Sequence, residues 1–448
     1  MKKLMDTLDE GASKHVVVIS RDGDALRPER SPRTAMSGNE FSKYVSDMLR
    51  EMERSPGKRR LLLYVHGGLN TYSQSLDRAK KLTKLIAEAG YYPIFVNWRS
   101  GLVDCYVEHL FRVRQGRIHR QYWWITWLYY LVADVGRALF RFPAAFYLQV
   151  INDCKPYMPG SNPDWLNSTA LFIKLRKRYE DTLRKGDGTA LGVSLGTDRR
   201  TPAEKWILLV RLLVSVPVKV VSGAIVDAFG TSAWGNMLRR TKALFRKPQE
   251  FDIRDKLDKE PEIERALDTA PTGAFSLFLR KLSEKVKSDP SSYEITLVGH
   301  SMGTIVLNRL MKDFPSLPCA HIVYMGAACS IADFVDSVVP YLESNSRTRF
   351  FNLCLHPVAE ESESNALEVA PRGSLLVWID NFLSSPETTP DRRLGVWENV
   401  LQATHMIPQH LRGRICIKGF SAGRTAGKPQ KHSEFGDIEF WRPELWEA

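Results

Sequence analysis

The chain is 448 residues long, with 44% hydrophobic and 25% charged residues, which is enough for a large core and for two or three domains. Its formal net charge of +12 favours an anionic partner, either nucleic acid or a membrane surface. The first ten residues hold no continuous apolar segment and no cleavage-type end, so we expect no secretory signal peptide and a cytoplasmic location.

The cysteines and the short motifs narrow the class of protein. The six cysteines are scattered along the sequence, and we expect buried thiols in a reducing compartment rather than disulfides. The sequence contains no Cys-x-x-Cys, His-Glu-x-x-His or Gly-x-x-x-x-Gly-Lys pattern. We therefore predict neither a metal nor a nucleotide cofactor.

A strand, a helix and a second strand are predicted near the start of the chain. Residues 59–65 form an apolar run that ends in His66-Gly67-Gly68. Residues 72–89 have helical apolar spacing and are closed by Gly90, and residues 92–97 read as another strand. This order is a βαβ unit and predicts a parallel sheet.

Two long apolar stretches follow, at residues 122–133 and 206–226. The first is rich in Trp and Tyr and is flanked by arginines, and the second contains Arg211, Lys219 and Pro217. Three interpretations stay open for them. In the first, the two stretches form transmembrane helices, although their charged residues make membrane spanning costly. In the second they form buried helices, and in the third they form helices that lie in the interface of an anionic membrane.

The pentapeptide Gly299-His300-Ser301-Met302-Gly303 has the form Gly-x-Ser-x-Gly. An apolar strand at residues 293–298 precedes it, and a helix at 304–313 follows it. A sharp strand-to-helix turn needs residues without a Cβ at its flanks, and it presents the serine hydroxyl at the N-terminus of a helix. This context predicts Ser301 as a nucleophile.

Three further strands are predicted at residues 321–326, 349–355 and 413–418. Together with the earlier elements they predict an α/β protein. Its mostly parallel central sheet has helices on both faces, and a largely helical insertion is added to it.

The two glycine motifs resemble those of the α/β-hydrolase family, in its lipase and esterase branch. The resemblance implies that the backbone N–H groups of Gly68 and Met302 form an oxyanion hole, with Leu69 in place of Gly68 if the loop is shifted by one residue. It also implies a hydrolase core at residues 1–103 and 271–448, interrupted by a helical cap or lid at 104–270.

In this family the acid and the histidine follow the serine in the chain. His432 stands at the end of a loop rich in Gly and Pro after the last strand, and we predict it as the general base. Glu360 follows the second strand after Ser301 and is the first choice for the acid. The alternatives for the acid are Glu361, Glu363 and Asp333.

The resemblance implies a serine hydrolase that cleaves acyl esters, of the lipase, phospholipase or carboxylesterase type, through an acyl-enzyme on Ser301. The expected partners are an acyl-ester or lipid substrate and an anionic membrane surface, with peripheral membrane association. Nucleic acid is not expected, because the basic residues interleave with apolar stretches. An acyltransferase with the same triad and a non-catalytic scaffold at a membrane are the alternatives.

Overall fold

The computed structural model describes residues 13–28, 34–54, 59–69, 71–114, 117–118, 123–154, 191–247, 272–363 and 372–447. Within these ranges, a nine-stranded and mostly parallel sheet has helices on both sides. The strands of the sheet are β1 (Val16–Ile19), β2 (Ala25–Leu26), β3 (Arg59–Val65), β4 (Tyr92–Trp98), β7 (Gly192–Leu195), β8 (Tyr293–His300), β9 (His321–Met325), β10 (Arg349–Cys354) and β11 (Ile415–Gly419). Their order across the sheet is β2-β1-β4-β3-β8-β9-β10-β11-β7. Two short strands, β5 (Val113–Arg114) and β6 (Arg117–Ile118), pair separately.

The helices connect these strands and follow them in the chain. They are α1 (Gly38–Glu53), α2 (Tyr72–Glu88), α3 (Leu102–Phe111), α4 (Trp123–Cys154), α5 (Pro202–Ala243), α6 (Ala274–Ser288), α7 (Gly303–Asp313), α8 (Ile331–Ser344), α9 (Pro357–Ser362), α10 (Leu375–Trp378), α11 (Trp397–Ala403) and α12 (Pro443–Trp446). The α/β class predicted from the sequence is confirmed.

The chain divides into two compact units. The first contains residues 1–134, 232–296 and 316–318, and the second contains 135–231, 297–315 and 319–448. Each unit includes part of the sheet and part of the segment at 104–270. The division into a core at 1–103 and 271–448 and a cap at 104–270 stays a prediction, and residues 155–190 and 248–271 of that segment lie outside the described ranges.

In the first unit, β4 pairs in parallel with β1 and with β3, and the side chains of these strands are almost all buried. Helices α1 and α2 each begin at a capping box. Ser37 and Thr71 accept a hydrogen bond from the backbone N–H three residues later, and the side chains of Glu40 and Gln74 accept from the cap residues in return. Each helix buries one apolar stripe, which includes Val45 in α1 and Ile86 in α2.

In the second unit, β10 pairs in parallel with β9 and β11, and β7 pairs in parallel with β11. Because β7 comes from the segment predicted as a largely helical insertion, this segment also contributes an edge strand to the sheet. The strands and helices predicted around the two glycine motifs are present with ends shifted by one or two residues. The sequence analysis did not predict β1, β2 or β7, which have four residues or fewer.

The loop that follows β9 is held by a second segment of the same unit. Leu394 N–H donates to the Cys329 carbonyl at 2.9 Å, and Gly395 N–H donates to the Ala327 carbonyl at 2.8 Å. The two backbones are so close that a Cβ on Gly395 would lie 2.2 Å from the Ala327 nitrogen. A side chain at position 395 therefore has to push two backbone segments apart.

We expect Gly395→Ala to lower the free energy of unfolding by about 1–3 kcal/mol, which is typical of overpacking in a rigid site. Denaturant unfolding of the purified protein measures the change. Gly235→Ala is the matched control, because a Cβ at that position in α5 meets nothing within 4 Å. The control variant should be unchanged or more stable by up to about 1 kcal/mol, since alanine is the better helix former. Equal stability of the wild type and Gly395→Ala would contradict the contact.

Candidate active site

Ser301 occupies the turn between β8 and α7 in a strained backbone conformation. Its φ angle is 52°, in the left-handed region that residues with a Cβ rarely adopt. Ser301 N–H donates to the Met325 carbonyl at 2.9 Å, and Ser301 C=O accepts from Ala328 N–H at 3.2 Å. Such strain costs on the order of 1–3 kcal/mol and persists only where the surroundings enforce it. Here the end of β9 and the loop after it hold the turn.

The glycine before this turn has the packing role expected of it. A Cβ on Gly299 would lie 2.9 Å from Leu307 Cδ1 and 3.1 Å from the Thr304 nitrogen, so β8 and α7 approach each other without room for a side chain. Ser301 itself is 1% exposed, and its Oγ has no hydrogen-bond partner in the described part of the chain. The hydroxyl is therefore buried beside the N-terminus of α7 and uncommitted.

His432 lies at the start of a 3-10 turn, His432–Gly436, after the last strand. Its ring packs on Gly326, where a Cβ would lie 2.9 Å from Cε1 and from Nδ1. Both ring nitrogens are buried and have no hydrogen-bond partner among the described residues. Burial lowers the pKa of His432 to about 4, so the imidazole is neutral at physiological pH.

The Ser301 turn and the His432 ring border the same short segment. Ser301 N–H binds the carbonyl of Met325, and the His432 ring lies on Gly326, the next residue. Because neither Ser301 Oγ nor the ring nitrogens have a partner among the described residues, the two side chains are not hydrogen-bonded to each other. The structure brings them to one region and leaves both groups available.

The backbone of His432 is held on both sides. Its N–H donates to Glu363 Oε2 at 2.9 Å, and its carbonyl lies 3.2 Å from His300 Nε2. Glu363 was an alternative acid in the sequence analysis, whereas the contact of His300 with His432 was not foreseen. Position 300 is a variable position of the Gly-x-Ser-x-Gly motif, so the motif did not predict this contact.

The predicted acid Glu360 is buried in α9 and is 2% exposed. Its Oε1 accepts a hydrogen bond from Ser374 Oγ at 2.7 Å, and its Oε2 has no partner within the described ranges. Burial raises the pKa of Glu360 to about 8, so its carboxyl group is mostly protonated at neutral pH. No contact between this carboxyl group and His432 is recorded in the described residues, and its role as the triad acid stays a prediction.

The alternative acids differ in what they contact. Burial raises the pKa of Glu363 to about 7, against the opposing effect of its hydrogen bond from His432 N–H. Asp333 accepts from Ser330 N–H at 3.3 Å and closes the capping box of α8. Glu361 borders a small cavity of about 50 Å³ together with Glu360. Glu363 is thus hydrogen-bonded to the backbone of His432.

The two predicted oxyanion donors lie in different units of the chain. Met302 is fully buried and directly precedes α7, where backbone N–H groups have no partner within the helix. Gly68 follows β3 in the first unit, and its neighbour Leu69 uses its N–H in a 3.2 Å bond to the Ser100 carbonyl. This bond favours Gly68 over Leu69 as the donor. The pairing of Gly68 with Met302 stays a prediction.

The remaining buried histidines have structural partners. His66 Nε2 accepts a hydrogen bond from Trp98 N–H at 3.2 Å, so Nδ1 carries the proton and donates to the Gly67 carbonyl at 2.7 Å. His356 Nδ1 accepts from Val358 N–H at the start of α9. Burial lowers the pKa of both rings to about 4. Neither histidine competes with His432 as a base.

A larger cavity, of about 260 Å³, lies against Glu363 and Lys431. The start of α5 contributes Glu204 and Ile207 to its wall, and the loop after β11 contributes Arg424. Arg200, also in the wall, is neutralised by a bidentate pair with Asp198, at 2.9 and 3.0 Å. The cavity therefore lies beside the loop that carries His432, and its wall contains acidic and basic side chains.

Comparison with models of known protein families, with curated proteins and with solved structures gives no match. The resemblance to α/β-hydrolases therefore rests on the motif residues and on their geometry.

Proposed function

We propose that the protein is a serine hydrolase that cleaves acyl esters through an acyl-enzyme on Ser301, on an α/β-hydrolase fold of the lipase and esterase type. The observation that carries the proposal is the left-handed conformation of Ser301 between β8 and α7. A buried serine in a strained strand-to-helix turn is the arrangement of a nucleophile elbow. The uncommitted ring of His432 beside the same β9 end supplies the base.

The proposed chemistry follows from these groups. Ser301 Oγ attacks the acyl carbonyl carbon and its proton passes to His432 Nε2. His432 then gives this proton to the leaving alkoxide as the bond between carbon and the leaving oxygen breaks. A water molecule then loses a proton to His432 and attacks the acyl-serine ester. The bond between the acyl carbon and Ser301 Oγ breaks, His432 returns the proton to Oγ, and the carboxylic acid is released. The Met302 N–H, directly before α7, is the proposed first donor to the oxyanion, with Gly68 as the predicted second donor.

We propose Glu363, ahead of Glu360, as the acid that orients His432. Glu363 already accepts the backbone N–H of His432 through Oε2, and in the proposed mechanism one of its carboxylate oxygens accepts the ring Nδ1–H. Glu360 instead shares its Oε1 with Ser374 and is mostly protonated at neutral pH, which does not suit a group that must stabilise an imidazolium.

A fluorophosphonate probe tests the nucleophile directly, because it reacts with activated serines and is independent of the natural substrate. We expect the wild type to label, Ser301→Ala to lose labelling, and His432→Ala to label at least about 10²-fold more slowly. Ser433→Ala is the control, since Ser433 is exposed and adjacent to His432.

Two outcomes separate this proposal from its alternatives. A wild-type protein that folds but does not label would contradict the hydrolase and favour the non-catalytic scaffold. A wild-type protein that labels but passes the acyl group mainly to an added alcohol would point to an acyltransferase with the same acyl-enzyme.

The pH dependence of the rate tests the acid. Since Glu363 has a raised pKa of about 7 and His432 a lowered one of about 4, we expect kcat/KM for a neutral aryl ester to rise with pH through about 7 as Glu363 ionises. Glu363→Gln should lower kcat by about 10²–10⁴ and abolish this rise, because a neutral amide does not stabilise the imidazolium. Glu360→Gln is the matched control and should keep both rate and profile. The reverse pattern in the two variants would return the role to Glu360.

The proposed type of substrate rests on the parts of α4 and α5 that belong to the second unit. An ordinary surface helix turns its apolar stripe toward the protein. Here the buried Asp227 of α5, which is 1% exposed, pairs with Arg141 of α4 at 3.2 Å, while Phe140 is 88% exposed and Trp206 is 67% exposed. We call the exposed apolar side chains the apolar outer face: Val135, Leu139, Phe140, Phe142, Phe146 and Tyr147 of α4, and Trp206, Ile207 and Val210 of α5.

We propose that the apolar outer face lies in the headgroup region of an anionic membrane, which would supply a lipid ester as substrate. In the described parts of the chain, no helix reaches both the length and the apolar character that a membrane span requires. The proposal is therefore one of binding along the surface. The exposed aromatic rings and the chain's charge of +12 suit this environment.

Liposome flotation tests the membrane contact. We expect the wild type to float with vesicles that contain an anionic phospholipid, and the double variant Leu139→Gln/Phe140→Gln to lose most of this binding. Leu85→Gln, on α2, is the matched control, because Leu85 is 41% exposed and lies outside the apolar outer face. If the wild type does not float, or if the double variant floats equally well, the apolar outer face does not bind lipid.

A further inference from the structure

The variable residue before the serine makes the most informative contact of the candidate site. His300 is the last residue of β8 and is 5% exposed. Its Nε2 lies 3.2 Å from the carbonyl oxygen of His432, which is 132 positions away in the chain. A carbonyl only accepts hydrogen bonds, so Nε2 carries the proton and donates it to this oxygen. The two rings lie with their centroids 5.3 Å apart.

This hydrogen bond links the two reacting side chains by a short path. His300 is fixed by its position at the end of a buried strand, and its peptide bond leads directly into Ser301. At the other end, the carbonyl belongs to the residue that carries the candidate base. The path from nucleophile to base thus consists of one peptide unit, one imidazole and one hydrogen bond.

The loop that carries His432 is anchored at several points, and the hydrogen bond from His300 is one of them. Residues 420–431 follow β11, contain Gly423 and Gly427, which both adopt positive φ angles, and include a short 3-10 turn, Arg424–Ala426. His432 leaves this loop into a short 3-10 turn. Its ring has no side-chain hydrogen bond of its own in the described residues, so contacts to its backbone and the packing on Gly326 determine where the ring lies.

We propose that His300 is a positioning residue that sets the distance between Ser301 and the base His432 by holding the His432 carbonyl. The inference rests on the proposed serine hydrolase function and deepens it. His300 does not touch the reacting atoms in this role. It acts on the rate because a displacement of a catalytic group by about 1 Å can slow a reaction by up to about 10²-fold.

The test compares two substitutions at position 300 with the wild type. In His300→Gln, the amide NH₂ lies at a similar reach to Nε2 and can donate to the same carbonyl, whereas in His300→Leu no donor is left. We measure kcat and KM for a neutral aryl ester, the rate of fluorophosphonate labelling, and the stability of each variant by denaturant unfolding.

For His300→Leu we expect kcat and the labelling rate to fall by about 10–100-fold while KM stays within about twofold, because substrate binding does not use this bond. His300→Gln should regain most of the loss. The midpoint of the pH profile should be unchanged in both variants, since Glu363 is intact. Val45→Ala in α1 is the stability control, because Val45 is fully buried in the chain's first unit, whereas Ser301 and His432 belong to the second. Its kcat should not change although it unfolds more easily.

The outcomes distinguish the inference from the proposed function. If the wild type labels and both variants at position 300 keep its labelling rate, His300 does not position the base and the hydrolase stands. If His300→Leu and His300→Gln lose the same amount of kcat, the hydrogen bond is not what His300 contributes, and the inference fails again. If the wild type itself does not label, the hydrolase proposal fails first. Should His300→Leu not fold, His300→Ala takes its place as the variant without a donor, and the same comparison with His300→Gln decides.

Discussion

The left-handed turn at Ser301 is the constraint on which the candidate site depends. The turn exists because the carbonyl of Met325 accepts the Ser301 N–H and the loop after β9 returns a bond to the Ser301 carbonyl. A Cβ on Gly299 would press on the Leu307 side chain and on the backbone at the start of α7, so glycine lets the strand and the helix approach closely. Burial of the neighbouring strands holds this geometry and balances its strain.

Parallel strands bring the other groups to the same edge of the second unit. Ser301 follows β8, Gly326 follows β9, the acidic helix α9 follows β10, and the His432 loop follows β11. Since the carboxyl ends of parallel strands share one edge, residues separated by more than a hundred positions become neighbours. The hydrogen bonds of His432 to Glu363 and to His300 are the local result.

Burial also determines the electrostatics of the site. It lowers the pKa of His432 to about 4 and raises that of Glu363 to about 7, so the His432 ring is neutral and the Glu363 carboxyl group titrates near physiological pH. The pattern of burial along α4 and α5 is unusual, because a charged pair is more buried than several of the aromatic side chains. The buried Asp227 pairs with the partly buried Arg141, while Phe140 and Trp206 are exposed.

The sequence alone determined the elements around the two glycine motifs. Hydrophobic periodicity and glycine positions are local signals, and they predicted β3, α2, β4, β8 and α7 because each buries a regular face. They also singled out Ser301 and His432. Short edge strands such as β7 were not predicted, because four residues are too few to show a clear hydrophobic alternation. Only the tertiary structure placed Glu363 on the His432 backbone, His300 beneath its carbonyl and Gly326 against its ring. These are contacts between distant segments, and they depend on strand order and burial, which no local pattern encodes.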